Sequence, residues 1–206
     1  ENFKSDKLNL KIIRNNLRTI IGTEKIVENP GVVLNMKIFR NEIYITYVNE
    51  IKKNCFNTSI LKGKFDLKRI SFESVFSPKE CVKKNNRYGE FYILESGGAI
   101  EFIDDTKLFL STGTFRYRDL AQIKDNIFGK ILMIDINKNS KRVISMGHRN
   151  VQGMFYDKEK DILFSIDHGP QGGDEINLNF SPLKNENKNY GWPIASYGEH
   201  YGGKID

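Results

Sequence analysis

The chain has 206 residues, of which 39% are hydrophobic and 12% aromatic, so it can bury the core of one or at most two domains. Its 32 Lys and Arg residues outnumber its 26 Asp and Glu residues, but they are scattered and form no basic stripe, which argues against a nucleic-acid partner. No run of about eighteen apolar residues occurs, which argues against a membrane span, and the first residues lack the layout of a secretory signal.

Short runs rich in β-branched and aromatic residues predict strands along the chain, the clearest at residues 42–48, 90–94 and 107–111. Residues that suit hairpin turns separate such runs, at positions 40–41, 104–105, 137–139 and 158–161. Helix signals are weak, and residues 117–124 offer one or two turns at most. The sequence therefore predicts an all-β fold.

Two cysteines, Cys55 and Cys81, are compatible with two different states. They have neither the CxxC spacing of a metal or redox site nor a nearby histidine. One disulfide between them would require an oxidising compartment, whereas a reducing compartment would keep two thiols. Both alternatives remain open from the sequence.

A strand–turn–strand unit repeats loosely at residues 36–45, 100–110 and 153–165. Such a repeat favours a β-propeller over a β-sandwich, because each blade of a propeller buries its faces only against its neighbours. Successive copies lie roughly 50–60 residues apart, which predicts about three to four blades. Residues 1–206 are therefore expected to form one partial propeller, with C-terminal blades missing from this chain.

Three motifs follow one another in the second half of the chain. They are G-H-R-N-V-Q-G at 147–153, D-H-G-P-Q-G-G-D-E-I-N at 167–177 and N-Y-G-W-P at 189–193. In this order and spacing they resemble the soluble PQQ-dependent glucose/sorbosone (aldose sugar) dehydrogenase family. The resemblance implies a six-bladed β-propeller and a periplasmic or secreted location, and it leaves a homodimer open.

The resemblance also implies pyrroloquinoline quinone (PQQ) and Ca²⁺ as cofactors. PQQ is a flat tricarboxylate that carries an ortho-quinone, so its site needs cationic and amide donors and a hard cation. The motif residues that match the family's cofactor contacts are Arg149 and Asn150. The carbonyl groups that match its calcium ligands belong to Gly169 and Pro170, and a second, structural calcium site matches Glu175 and Tyr190.

One position departs from the family in a way that bears on catalysis. The family's base is a histidine just before a Gly-Gly or Ser-Gly pair, and Glu95 stands at that place here, with Ala99 where an arginine is expected. Thr114 likewise replaces an acidic residue of the family, and residues 115–117 replace its substrate-side neighbours. Glu95 is therefore the candidate substitute base.

Two functions remain open at this stage. The first is a quinoprotein oxidoreductase that oxidises an aldose sugar or a related polyol, with an unidentified electron acceptor. The second is a non-catalytic, calcium-stabilised propeller that binds a sugar or a protein partner. The intact pair Arg149 and Asn150 favours the enzyme, because a mere scaffold has no chemical need for it. His148 and His168 are expected to serve as structural hydrogen-bonding residues.

Overall fold

The computed structural model describes residues 12–22, 32–85, 90–184 and 188–199, and this part of the chain is built almost entirely of strands. In chain order the strands are β1 (Arg14–Asn15), β2 (Val33–Phe39), β3 (Glu42–Lys52), β4 (Cys55–Lys64), β5 (Arg69–Ile70), β6 (Phe72–Phe76), β7 (Val82–Lys83), β8 (Gly97–Phe102), β9 (Lys107–Thr112), β10 (Lys130–Asp135), β11 (Ser140–Met146), β12 (Val151–Asp157), β13 (Ile162–Asp167), β14 (Glu175–Phe180) and β15 (Lys188–Asn189). The same residues include an α-helix, α1 (Leu17–Ile21), and a 3₁₀ helix (Arg118–Gln122). The all-β prediction is confirmed. No helix in these ranges is long and apolar enough to cross a membrane.

Three larger sheets follow one another along the chain. The first has the order β2-β3-β4-β6 with β7 on β4, the second has the order β8-β9-β10-β11-β15, and the third has the order β12-β13-β14. Blades of four antiparallel strands are typical of the predicted propeller, whereas the described sheets contain five, five and three strands. In addition, β15 pairs with β11 in parallel, and so does β1 with β5.

The predicted hairpins are confirmed. Residues 40–41, 104–105, 137–139 and 158–161 connect β2 to β3, β8 to β9, β10 to β11 and β12 to β13. Three of these turns contain a non-glycine residue with a positive φ, namely 54° at Arg40, 47° at Asn139 and 53° at Asp161. Tight hairpin turns commonly use this conformation, since its twist matches the twist of the flanking strands.

One predicted strand is wrong. Residues 90–94 form a turn instead, in which the Tyr92 amide donates to the Phe115 carbonyl and the Glu95 amide donates to the Tyr92 carbonyl. The apolar side chains of Phe91 and Ile93 pack against the core from this turn without joining a sheet. The hydrophobic pattern therefore predicted correctly that these side chains pack against the core, but it predicted incorrectly that they belong to a strand.

The middle sheet is buried on both faces. Leu108 and Leu110 of β9 pack with residues of the first sheet, whereas Phe109 between them packs with Leu163 of the third sheet. Successive side chains of a strand point to opposite faces, so this alternation stacks the three sheets face to face. The arrangement fixes the loops at the strand ends relative to one another.

Cys55 and Cys81 form a disulfide, with their Cα atoms 5.3 Å apart. The bond connects the start of β4 to the segment just before β7. It resolves the alternative that the sequence left open, and chain-entropy reasoning gives it about 3–4 kcal/mol of stabilisation.

Candidate functional site

A cavity of about 380 Å³ opens at one end of the second and third sheets. Its walls come from the loop before β8, the turn after β9, the loop between β11 and β12 and the residue after β13. Because these strands are antiparallel, all four connections lie at the same end of the sheets. The polar side chains that line the cavity belong to Glu95, Arg116, Arg149, Asn150, Gln152 and His168.

A buried aspartate holds the loop between β11 and β12. Asp167 accepts hydrogen bonds from the backbone amides of Arg149 at 3.1 Å and Asn150 at 2.7 Å. It also lies 3.2 Å from Nδ1 of His148, whose Nε2 is 2.8 Å from the Ser145 hydroxyl. His148 is fully buried, as a structural role requires. Sequence reasoning missed the role of Asp167, although Asp167 is the first residue of the second motif.

The Arg149 side chain is fixed by three contacts. One nitrogen donates to the His168 carbonyl at 2.8 Å, and another forms an ion pair with Glu95 at 2.9 Å. Its guanidinium carbon lies 5.6 Å from the centroid of the Trp192 ring, within the range of a cation–π contact. The guanidinium group is therefore oriented before any ligand binds.

The Asn150 side chain joins the two sides of the cavity. Its oxygen accepts from the Gly97 amide at 2.9 Å, and its nitrogen donates to the Leu94 carbonyl at 3.2 Å. An amide nitrogen has two hydrogens, so one donor remains for a ligand.

Glu95 is almost completely buried, with 2% of its surface exposed. One carboxylate oxygen pairs with Arg149, and the other accepts from the Thr114 hydroxyl and, at 3.1 Å, from the Arg116 amide. Glu95 and Thr114, two of the positions at which the resemblance predicts a departure from the family, thus contact each other. Glu95 lies in the cavity beside Arg149, as a base in that position must, while its catalytic role stays a prediction.

The turn after β9 carries two consecutive residues in the left-handed region. Phe115 has a φ of 52° and Arg116 a φ of 69°, and such non-glycine positions cost about 1–3 kcal/mol each. The buried Phe115 ring, stacked 5.8 Å from Phe91, stabilises this conformation. The turn directs the Arg116 guanidinium over the Tyr92 ring, 4.6 Å from its centroid.

Gly169 and Pro170 lie in the loop that follows β13, next to the Arg149 and Asn150 loop, because the His168 amide donates to the Asn150 carbonyl. A Cβ atom at Gly169 would lie 1.9 Å from the Gly173 carbonyl oxygen, so only glycine fits. The Pro170 carbonyl accepts from the Gly173 amide at 2.8 Å.

The residues described contain no group of three or more His, Cys, Asp or Glu side chains that could hold a metal. A cation at this loop would therefore depend on carbonyl oxygens, which Ca²⁺ accepts as ligands.

Glu175 and Tyr190 lie near the third sheet. Glu175 begins β14 and accepts from the Asn177 side chain at 3.1 Å. The Tyr190 hydroxyl donates to the carbonyl of Leu178 in the same strand, its ring lies 4.8 Å from the His148 ring, and burial raises the pKa of Tyr190 to about 12. A cation shared by Glu175 and Tyr190 stays a prediction.

Comparisons with known proteins identify the family to which the chain is similar. A family model described as Glucose / Sorbosone dehydrogenase matches residues 31–206. The chain is 32% identical over 152 residues to the aldose sugar dehydrogenase YliI of Escherichia coli (strain K12), which covers 67% of this chain and 38% of that protein.

Two solved structures are also similar. The soluble aldose sugar dehydrogenase of Escherichia coli in its apo form has 28% identity and a TM-score of 0.63, covering 80% of this chain and 49% of that one. The PQQ-bound aldose sugar dehydrogenase of Streptomyces coelicolor has 24% identity and a TM-score of 0.59, covering 81% of this chain and 48% of that one. At this identity the match shows a likeness of fold alone. The chain thus spans about half or less of the length of these relatives.

Proposed function

The chain belongs to the glucose/sorbosone dehydrogenase family, and we propose on that premise that it is part of a quinoprotein oxidoreductase that oxidises an aldose sugar or a related polyol. The observation that carries this proposal is the meeting of Glu95, Arg149 and Asn150 in the walls of one cavity. Glu95 lies far in the sequence from the adjacent pair Arg149 and Asn150. Their convergence gives a buried carboxylate, a cation and an amide in reach of one ligand.

The three stacked sheets correspond, in this proposal, to successive blades of a β-propeller, which has six blades in the family. Residues 1–206 then form one partial propeller domain, and further blades lie outside this chain. The stacking of the first and third sheets on opposite faces of the second supports this architecture. The Cys55–Cys81 disulfide supports a periplasmic or secreted location, because such bonds persist in oxidising compartments.

The donor set of the cavity fits PQQ and Ca²⁺. Arg149, Asn150 and Gln152 present the guanidinium and amide groups that a flat tricarboxylate requires. The carbonyl groups of Gly169 and Pro170, in the neighbouring loop, would serve as calcium ligands. When bound, PQQ supplies the acceptor for the two electrons removed from the sugar. Glu175 and Tyr190 would hold the second, structural Ca²⁺.

Glu95 is the proposed base. A base must lie within hydrogen-bond distance of the hydroxyl whose proton it accepts, and Glu95 lines the cavity. A carboxylate offers about four acceptor positions, and the contacts from Arg149, Thr114 and the Arg116 amide occupy three of them. One position remains for a sugar hydroxyl, and the other three hold the carboxylate in place.

A specific observation favours the second candidate function, a non-catalytic propeller that binds a sugar or a protein partner. One of the contacts that orient Glu95 is the ion pair with Arg149, whose side chain is nearly buried. A carboxylate of this kind can act purely as the counter-charge of Arg149.

The decisive experiment reconstitutes the full-length protein with PQQ and Ca²⁺ and follows dye reduction with a panel of aldoses and polyols. The native protein, Glu95→Gln and Glu95→His are compared, with Glu73→Gln on the exposed face of β6 as the matched control. Turnover that is abolished by Gln, retained by His and unchanged in the control would establish Glu95 as the base. PQQ binding without turnover in any variant would establish the binding propeller instead.

A further inference from the structure

The charges in the cavity do not balance. Its walls carry two guanidinium groups, from Arg116 and Arg149, and the acidic residue that lines it is Glu95. Glu95 pairs with Arg149 at 2.9 Å. Among the ion pairs of the described residues, none includes Arg116. The cavity therefore carries a surplus positive charge at Arg116.

Arg116 is held in place without a counter-charge. Its guanidinium carbon lies over the ring of Tyr92, and its backbone amide donates to Glu95. Stacking on an aromatic face restricts a guanidinium group while it leaves the N–H groups in its plane available for a bidentate contact with an oxyanion. The contacts therefore prepare Arg116 to bind carboxylate or phosphate oxygens.

The backbone supports the same conclusion. Arg116 and its neighbour Phe115 both have positive φ values, and strain of this kind persists where the surrounding structure maintains it, often at ligand-binding sites. Here the buried Phe115 ring and the Glu95 carboxylate maintain it. The result is an arginine that lines the cavity and whose amide contacts the Glu95 oxygen that Arg149 does not contact.

We propose that Arg116 is a specificity-determining residue that binds an oxyanion of the ligand, so that the preferred substrates are acidic sugars bearing a carboxylate or a phosphate. This proposal rests on the proposed function, because Glu95 and Arg116 line the same cavity and a sugar whose hydroxyl reaches Glu95 would therefore lie near Arg116. Glu95 already neutralises the charge of Arg149, so Arg149 does not distinguish acidic sugars from neutral ones.

The test uses the full-length protein reconstituted with PQQ and Ca²⁺, and compares kcat/KM for glucose, glucuronate and glucose 6-phosphate. Arg116→Gln removes the charge and keeps a polar side chain. Arg40→Gln is the matched control, because Arg40 also has a positive φ, of 54°, and pairs with Asp105 away from the cavity. We expect Arg116→Gln to lower kcat/KM for at least one acidic sugar by about 10- to 100-fold, mainly through KM, as the loss of a charged hydrogen bond predicts. In Arg116→Gln the loss for glucose should be smaller than the loss for the acidic sugar, and the Arg40→Gln control should leave kcat/KM unchanged for all three sugars.

A second measurement separates this proposal from the proposed function. Thermal shifts of the PQQ-free protein are recorded with glucuronate, glucose 6-phosphate, acetate and inorganic phosphate. Stabilisation by an acidic sugar that Arg116→Gln abolishes would support the site even if no variant turns over, and the response to glucuronate against glucose 6-phosphate identifies the oxyanion. Equal use of glucose and both acidic sugars, no shift with either, or a loss of PQQ affinity in Arg116→Gln would overturn the proposal.

Discussion

The two walls of the cavity are built on different physical principles. The motif wall, formed by residues 147–150 and 167–170, depends on Asp167, whose carboxylate accepts from consecutive backbone amides. In the variant wall, formed by residues 94–95 and 113–117, contacts between side chains, such as Thr114 with Glu95 and Arg116 with Tyr92, accompany the backbone hydrogen bonds. A contact to backbone constrains the chain path, whereas side-chain partners can change together.

This difference explains where the chain follows its family and where it departs. Asp167 cannot be replaced by an apolar residue without leaving the amides of Arg149 and Asn150 without acceptors, which is costly. In the variant wall, Glu95 and Thr114, which the resemblance predicts to replace two family residues, contact each other. The ion pair between Glu95 and Arg149 joins the two walls.

The largest effect is expected in the motif wall. Asp167→Asn removes a buried charge that accepts from two amides and faces His148, and this should lower the free energy of unfolding by about 3–5 kcal/mol. Urea denaturation measures the change, with Asp157→Asn at the end of β12 as the control. A loss of less than about 1 kcal/mol would contradict the role assigned to Asp167.

A smaller effect is expected in the variant wall. Thr114→Val keeps the shape of the side chain and removes the hydroxyl that donates to Glu95, at an expected cost of about 1.5–3 kcal/mol. Thr46→Val is the matched control, because the buried Thr46 hydroxyl donates to a neutral acceptor, the Gly98 carbonyl, and should cost about 0.5–1.5 kcal/mol. Equal losses would show that the Glu95 charge adds nothing.

The sequence predicted local structure well and long-range contacts poorly. Hairpins such as the one at Asp161 follow from turn residues between alternating runs, so they could be recognised locally. The turn at residues 90–94 could not, because its apolar side chains pack as those of a strand would. The ion pair of Glu95 with Arg149 and the anchoring by Asp167 join distant segments, and no local pattern encodes such pairs.

A buried ammonium group binds carbonyls of the 3₁₀ helix that follows the variant wall. Lys130 donates to the carbonyls of Leu120, Ala121 and Phe128 at 2.8, 3.0 and 2.7 Å, and burial lowers the pKa of Lys130 to about 8. Above that pH the unfolded chain binds more protons than the folded chain, so the free energy of unfolding should rise with pH. The expected gain is about 1.5 kcal/mol between about pH 8 and 9.5.

The control for this measurement is Lys130→Met, in which the rise should disappear. Tyrosines with a raised pKa, such as Tyr190, act in the opposite direction only near and above about pH 10, so the chosen window avoids them. A stability that stays flat or falls between these pH values in the native protein, relative to Lys130→Met, would refute the effect of burial.

The smallest effect on stability is expected at Arg116. Asn tolerates the left-handed conformation better than Arg does, so Arg116→Asn should relieve part of the strain at a φ of 69°. The same change removes the contact with the Tyr92 ring, which contributes about 0.5–1 kcal/mol at an exposed site. The two terms oppose each other, and the free energy of unfolding should change by less than about 1 kcal/mol.

Urea denaturation measures the change in the free energy of unfolding of Arg116→Asn, and Arg40→Asn, at a residue with a φ of 54°, is the control. A loss above about 2 kcal/mol would mean that the variant wall needs Arg116 for folding. A small change in stability together with lost binding of acidic sugars would mean that the strained conformation of Arg116 serves ligand binding and not stability.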